Sequence, residues 1–583
     1  MNPPEEHPRL KAGRGRPDRS AGPLAKLLAG LLVLFLLAFL VVPVLLTIGA
    51  GFFHRGSLST YWIGRVLGNE MLLRQLVNGL TVAAVTTLIC LAVGIPLAVV
   101  RTKYRFLGSG VLGALLLVPL ILPPFVGALS MRRLLGQYGV INLVLERVGL
   151  LDPAATPPDW LGTGFAGVVV LQVLHLFPIL YLNASAALAN VDPAAAQAAR
   201  NLGAGPIRTF FRITLPMIRP GLFAGGTIVF IWSFTDIGTP LIVGYEELIP
   251  VTVFQRLSEA EVSPQTFSLV FIMLLTAVSL YVLGKFVFGR SAAAEAVKGG
   301  VASEERRLGL LGTLGAWVLF GSVIFLALLP HVGVVLTAIS TRWINTILPS
   351  GYTLAHLRFV VTKPSTYNSI LNSLTYAGTS TTVDIVLGCI AAWLLVRTRF
   401  RGRTTLDGLT MLPLAVPGLI LAAGYVAMTV KGSPLAAIGP GRNPFTILVI
   451  AYAVRRLPFV VRGVSAGLQQ VPVAMEEAGR NLGASRARTA LRITLPLVAA
   501  NIIAAGVLTF AFAMLEVSDS LILAQEQVHY PITKEIYKQA SSGNVDAANI
   551  AAAIGVYGMG LLAGTFAVAG ALMGKRLGAI FRA

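Results

Sequence analysis

Charge is scarce in this chain. Only 12% of its 583 residues are Asp, Glu, Lys or Arg, about half the share of an ordinary soluble domain. That excludes a surface built mainly for water. Cysteine is nearly absent. Cys90 and Cys389 are the only two, and they lie in separate apolar runs with no disulfide or metal spacing. Each reads as a small buried apolar side chain. The 6 histidines are scattered. No metal-ligand cluster or nucleophile–base pair stands out, which leaves a membrane enzyme little support. No G-x-x-x-x-G-K-[ST] phosphate loop occurs. Gly570 to Lys575 reads GALMGK, with the wrong spacing and at the end of an apolar run. The chain is therefore not expected to hydrolyse ATP by itself. A cleavable signal sequence is also missing, because residues 1–26 are polar and rich in Arg, Pro and Gly. They read as a disordered cytoplasmic tail.

What is abundant is apolar sequence. Hydrophobic residues make up 55% and the mean hydropathy is +0.78. Runs of about 20 apolar residues span a bilayer as helices. Twelve such runs are expected. Six start near Leu27, Leu76, Gly110, Gly164, Gly221 and Phe267, and six near Leu310, Ile370, Leu406, Phe445, Ala499 and Asn549. Several contain Gly or Pro, which membrane helices tolerate. Orientation follows from Lys and Arg, which favour the cytoplasmic side. With both termini in the cytoplasm, the short inside loops hold Arg101, Lys103 and Arg105 in one half. They hold Arg397, Arg399, Arg401 and Arg403 in the other. The +21 net charge is then mostly a topology signal. Nucleic-acid binding is disfavoured, because the basic residues are spread over short loops rather than gathered in one domain.

One polar segment occurs twice. Val191 to Pro216 reads VDPAAAQAARNLGAGPIRTFFRITLP, and Val471 to Pro496 reads VPVAMEEAGRNLGASRARTALRITLP. They align without a gap, with about 15 of 26 positions identical. Asn78-Gly-Leu-Thr and Asn372-Ser-Leu-Thr also open equivalent runs, and Pro119 and Pro123 correspond to Pro413 and Pro417. A small-residue linker, residues 289–307, separates the halves. The expected units are a permease domain at 27–288 and a second at 308–583. An even number of spans per half makes the repeats parallel, so both cassettes face the cytoplasm. In each, a short helix ends at a glycine suited to the left-handed conformation, Gly203 or Gly483. Pro216 and Pro496 favour a break or the first turn of the next helix.

The spacing resembles the EAA loop of ATP-binding-cassette importer permeases: Glu-Ala-Ala, three residues, Gly, nine residues, Ile, one residue, Leu-Pro. The first copy has Gln197, Ala198, Ala199, Gly203, Ile213, Leu215 and Pro216. The second has Glu477, Ala478, Gly479, Gly483, Ile493, Leu495 and Pro496. Gln197 and Gly479 depart from the triplet. The resemblance implies an all-α polytopic membrane protein of about twelve transmembrane helices, arranged as two parallel six-helix repeats like a type I ABC importer. It implies that the cassettes are coupling helices that dock on two copies of a cytoplasmic ABC ATPase, where ATP and Mg would reside. With Gln197 in place of a glutamate, the first half is expected to couple less strongly. An extracytoplasmic solute-binding protein and membrane lipids are the other implied partners, in a bacterial cytoplasmic membrane. The fused arrangement resembles the ferric-iron-type branch, which also includes thiamine, polyamine and phosphonate relatives.

Ionisable side chains within apolar runs are functional candidates, because the bilayer centre disfavours charge by roughly 2.5–3.5 kcal/mol. Asp236, Glu516, Asp519, Arg455 and Arg456 stand out, and His175 and Leu176 occupy the first-half places of the two arginines. One reading is a translocation path, since three carboxylates suit a hard cation such as ferric iron. Another is structural, with the acids pairing to Arg455 or Arg456, or capping a break near Gly238 and Pro240. A third is that the arginines attract an anionic group such as a phosphonate. No metal site is assigned. The acidic outward loop with Glu246, Glu247, Glu259 and Glu261, opposed by Arg256, is a further candidate for docking the binding protein. A secondary transporter driven by an ion gradient explains the duplication and the buried acids. It does not explain two cassettes of matched spacing.

Overall fold

The structure is a computed structural model that describes residues 22–162, 164–189, 191, 193–259, 263–288, 306–430, 432–544 and 546–573. Most of the expected tail and linker, and Glu261, lie outside these residues. In a bilayer a backbone must satisfy its own hydrogen bonds, and a helix does so within one segment. Accordingly the first half contains α1 (Pro23–Gly51), α2 (Glu70–Lys103), α3 (Ser109–Ile121), α4 (Pro124–Arg147) and α5 (Phe165–Ala189). A short α6 (Pro193–Asn201) leads to α7 (Pro206–Thr235), α8 (Gly238–Val243), α9 (Ile249–Leu257) and α10 (Pro264–Phe288). The second half repeats the order with α11 (Leu310–Ile339), α12 (Pro364–Arg397), α13 (Arg403–Leu414), α14 (Gly418–Met428) and α15 (Phe445–Gln470). It continues with α16 (Val473–Asn481), α17 (Arg486–Met514), α18 (Ser518–Leu523), α19 (Ile532–Ala540) and α20 (Ala547–Met573).

The span count differs from the expected twelve. Among the described residues, 9 helices are long and apolar enough to cross a membrane, or up to 11 spans if each bent pair is one. The run from Phe445 is the helix that fails. It forms the 26-residue α15, but Arg455, Arg456 and Arg462 give it more charge than a lipid-facing span holds. The fold places α15 between α12 and α17, so Arg455 and Arg456 meet protein, while Arg462 is exposed.

Two breaks shape the middle of the bundle. α3 and α4 meet at 97°, and α13 and α14 at 101°. Pro123-Pro124 and Pro417-Gly418 stand at these corners, where missing or freed backbone donors stop a continuous helix. The first span of each half leans on the bent pair of the other: α1 packs on α14, and α11 packs on α4. Pro43 cannot donate to the Phe39 carbonyl one turn earlier. The Tyr425 hydroxyl from α14 donates to that carbonyl instead, at 2.6 Å. Gly424 beside it leaves no room for a Cβ against Pro43. On the other side of the repeat, Ser130 Oγ donates to the Pro330 carbonyl at 3.0 Å.

The duplicated asparagines also have matching roles. Asn78 Nδ2 donates to the Glu247 carbonyl at 3.2 Å. Asn372 Nδ2 donates to the Val528 carbonyl at 2.8 Å. Each ties the second helix of its half to the loop on the side away from the cassettes. On the cassette side, Tyr104–Arg105 pairs in parallel with Arg306–Arg307, joining the loop after α2 to the start of the second half.

Candidate functional site

The two cassettes fold alike. α6 and α16 each end in a left-handed glycine, Gly203 at φ +84° and Gly483 at φ +83°. The Ala204 N–H donates to the Ala199 carbonyl at 2.9 Å, and the Ala484 N–H to the Gly479 carbonyl at 3.1 Å. This closes the last helical turn and reverses the chain. Each chain then passes through a π-helical turn, Phe210–Thr214 or Ala490–Thr494, into the next long helix. The reversal projects a leucine outward: Leu202 is 88% and Leu482 90% exposed. Ile207, Phe211 and Leu491 are exposed beside them. Exposed apolar side chains grouped at a polar tip mark a contact surface.

The remaining cassette residues take distinct positions. Gln197, Ala198 and Ala478 are exposed, Glu477 and Ala199 half-buried, and Gly479 buried. At Gly479 the tip of the Ile493 side chain lies where a Cβ would stand. Ile213, Leu215 and Pro216 are half-buried, as is Ile493, whereas Leu495 and Pro496 are exposed.

A cavity of about 180 Å³ lies where the two bent pairs meet. The first half supplies Pro123, Pro124, Gln172, His175 and Asp236, and the second supplies Pro417, Gly418, Arg455, Arg456 and Glu516. Asp519 lies behind this wall, fully buried. Asp236 follows the last residue of α7. Its Oδ1 accepts the Gly238 N–H at 3.1 Å and its Oδ2 accepts Gln172 Nε2 at 3.2 Å. It therefore caps the break before α8. Glu516 does the same before α18, where its Oε1 accepts the Asp519 N–H at 3.3 Å.

The second half adds charge to this plan. Arg455 Nη1 donates to Glu516 Oε1 at 2.5 Å and to Asp519 Oδ2 at 3.2 Å. Arg456 donates to the other Glu516 oxygen, and its Nη2 also reaches the Phe512 carbonyl at 2.7 Å. Gly418 leaves space for the Arg455 guanidinium, which a Cβ would overlap. Glu516, Asp519, Arg455 and Arg456 are thus brought into one cluster, while Asp236 has its own partners in the first half. Among the described residues, no group of three His, Cys, Asp or Glu side chains converges to hold a metal.

Asp384 on α12 was not among the sequence candidates. It is fully buried, and neither of its carboxylate oxygens has a hydrogen-bond partner among the described residues. The criterion that selects Asp519, an ionisable side chain within an apolar run, selects Asp384 as well. Gln172 carried no such signal, because an amide becomes legible only once Asp236 and Ser233 are seen beside it.

Away from the cassettes, α9 and α19 meet at a seam between the halves. Phe254 and Tyr537 pack edge to face at 5.8 Å. Lys534 Nζ donates to the Leu521 carbonyl at 2.6 Å and lies 5.8 Å from the Phe254 ring. Burial pushes the Lys534 ammonium down from 10.5 to about 8. The Glu247 carboxylate of the acidic loop receives Asn78 Nδ2 at 3.4 Å.

These features define a class: a polytopic helical transport protein made of two parallel repeats around a shared cavity, with paired exposed turns on one side. Residues 26–292 and 384–577 match the family described as "Binding-protein-dependent transport system inner membrane component". The chain belongs to that family. It is a multi-pass ABC importer permease of the inner membrane and not an enzyme.

A putative ferric transport system permease of Haemophilus influenzae is 26% identical over 513 residues, covering 86% of this chain and 78% of its own. The ferric transport system permease of Actinobacillus pleuropneumoniae is 26% identical over 508 residues, covering 84% and 70%. A probable molybdenum ABC transporter permease of Haloferax volcanii is 32% identical over 232 residues, covering 40% of this chain and 77% of its own. Among solved structures, a bacterial ABC transporter involved in import of the acidic polysaccharide alginate has a TM-score of 0.36 at 18% identity, covering 44% of this chain and 94% of that chain.

Two outcomes follow from the buried charges. Arg456→Leu leaves Glu516 undercompensated and lowers stability by about 3–5 kcal/mol. Adding Glu516→Gln recovers much of that loss, as measured by thermal unfolding of the purified protein. For Lys534, folding disfavours the charged form, so the unfolded chain binds more protons between about pH 8 and 10.5. The melting temperature of the native protein rises relative to that of Lys534→Met across that window.

Proposed function

We propose that this chain is the permease of an ATP-driven importer for ferric iron. An extracytoplasmic solute-binding protein delivers the cargo, and two copies of a cytoplasmic ABC ATPase, holding ATP and Mg, engage the two cassettes. The observation that carries the reading is the matched pair of cassette turns, each presenting one almost fully exposed leucine on the same side of the bundle. A transporter driven by an ion gradient has no use for two such surfaces. Both termini, the linker and the cassettes lie in the cytoplasm in this reading, and the permease domains are residues 27–288 and 308–583.

Ferric iron is favoured by how the relatives align. Ferric permeases match across most of the chain, including both halves in one polypeptide. The molybdenum relative matches 40% of it. ATP binding draws the ATPases together and moves both cassettes, so the halves rock about the central cavity. Asp236, Glu516, Arg455 and Arg456 line the path. Their carboxylates are already engaged by Gln172 and the guanidinium groups, so cargo is passed on rather than retained. The cassette residues Gln197, Gly203, Glu477 and Gly483 carry the coupling.

The test is co-purification with the ATPase and radiolabelled iron uptake in proteoliposomes. Leu202→Asp and Leu482→Asp are each expected to reduce recovered ATPase about tenfold or more, as loss of a central interface anchor does. Full uptake by the double variant, or uptake driven by a proton gradient without ATPase, contradicts the proposal. Uptake of molybdate or a phosphonate in place of iron retains the class and rejects the cargo.

A further inference from the structure

The two cassettes share a backbone but not an anchor. Arg397 is the last residue of α12. Its Nε donates to Glu476 Oε1 at 2.9 Å, and its Nη2 donates to the Val471 carbonyl at 3.0 Å. Val471 caps the end of α15, and Glu476 stands in the first turn of α16. One guanidinium therefore joins three elements: the end of α12, the end of α15 and the start of the second cassette helix. The pair is shielded from solvent, with Arg397 at 7% and Glu476 at 14% exposure. Shielding strengthens an ion pair that surface screening would otherwise weaken.

Among the described residues, the first half has no counterpart. Lys103 ends α2 as Arg397 ends α12, and Ala196 stands where Glu476 does. α6 contains no Asp or Glu. The cassette charge acting on Lys103 is Arg200, a like charge. A lysine ammonium also lacks the fork with which a guanidinium contacts two acceptors at once.

α15 continues from the clamp to Arg455 and Arg456, about 22 Å of helix. Those arginines hold Glu516 at the cavity wall. A displacement of the second cassette therefore reaches the cavity through one ion pair and one helix. Among the described residues no side-chain ion pair ties the first cassette to the end of α5, and α5 bears His175 and Leu176 at the equivalent places.

We infer that Arg397 is a positioning residue that clamps the second cassette to α12 and α15, so that the two cassettes couple unequally and the second carries the stiffer link. This rests on the cassettes being ATPase contacts. The experiment uses the full chain reconstituted with its ATPase and binding protein, and measures iron transported per ATP hydrolysed. Arg397→Ala and Glu476→Gln are each expected to keep ATPase binding and to lower the melting temperature by only a few degrees, while lowering that ratio about tenfold, the weight of one charge-assisted hydrogen bond. Arg397→Glu combined with Glu476→Arg restores most of it, which a purely structural loss would not allow. Lys103→Ala leaves the ratio unchanged. A normal ratio in both single variants, failure of the charge swap to restore it, or an equal loss in Lys103→Ala overturns the clamp. A wild-type chain that binds no ATPase overturns the functional reading itself, before any variant is compared.

Discussion

Two guanidinium groups sharing one carboxylate set the terms for the middle of this protein. Arg455 and Arg456 each hold one oxygen of Glu516, in a region where water is scarce and an uncompensated charge is strongly disfavoured. Keeping those charges together requires α15 inside the bundle, α17 beside it, and a helix break that brings Glu516 and Asp519 within reach. Gly418 at the corner of the opposing bent pair is needed as well, because only a residue without a Cβ fits against Arg455. The placement of α15 inside the bundle follows from housing that cluster, on a bent-pair plan that both halves share.

The scaffold is duplicated, but its chemistry is concentrated in the second half. Arg455 and Arg456 face His175 and Leu176 across the repeat, Asp519 faces Thr239, Asp384 faces Cys90, and Glu476 faces Ala196. The first half keeps the backbone plan, including the capped break at Asp236, with neutral groups in most charged places. The asymmetry means that two halves of one shape differ in how tightly each end is held.

Much of this plan was legible in the sequence. The apolar runs, the twofold repeat and the glycine turns at Gly203 and Gly483 follow from composition and local conformational preference. The intramembrane charges were visible too, with both the structural and the pathway reading open. Glu516 turned out paired and Asp236 turned out to cap a break, while both still line the cavity. What escaped depends on contacts between distant segments. Arg397 and Glu476 are 79 residues apart, and Tyr425 and Phe39 are 386 apart; nothing local marks either pair. The run from Phe445 forms a long helix as expected, but it carries too many arginines to count as a span by composition.

If the two halves rock about the central cavity, as proposed, the cassettes on one side and the α9–α19 seam on the other move in opposition. Spin labels at 208 and 488, and separately at 254 and 537, measure it directly in the chain assembled with its ATPase and binding protein. Trapping the ATPase in its ATP-bound state should shorten the 208–488 distance and lengthen the 254–537 distance. Distances that stay the same in both pairs, or change in the same direction, would contradict the account.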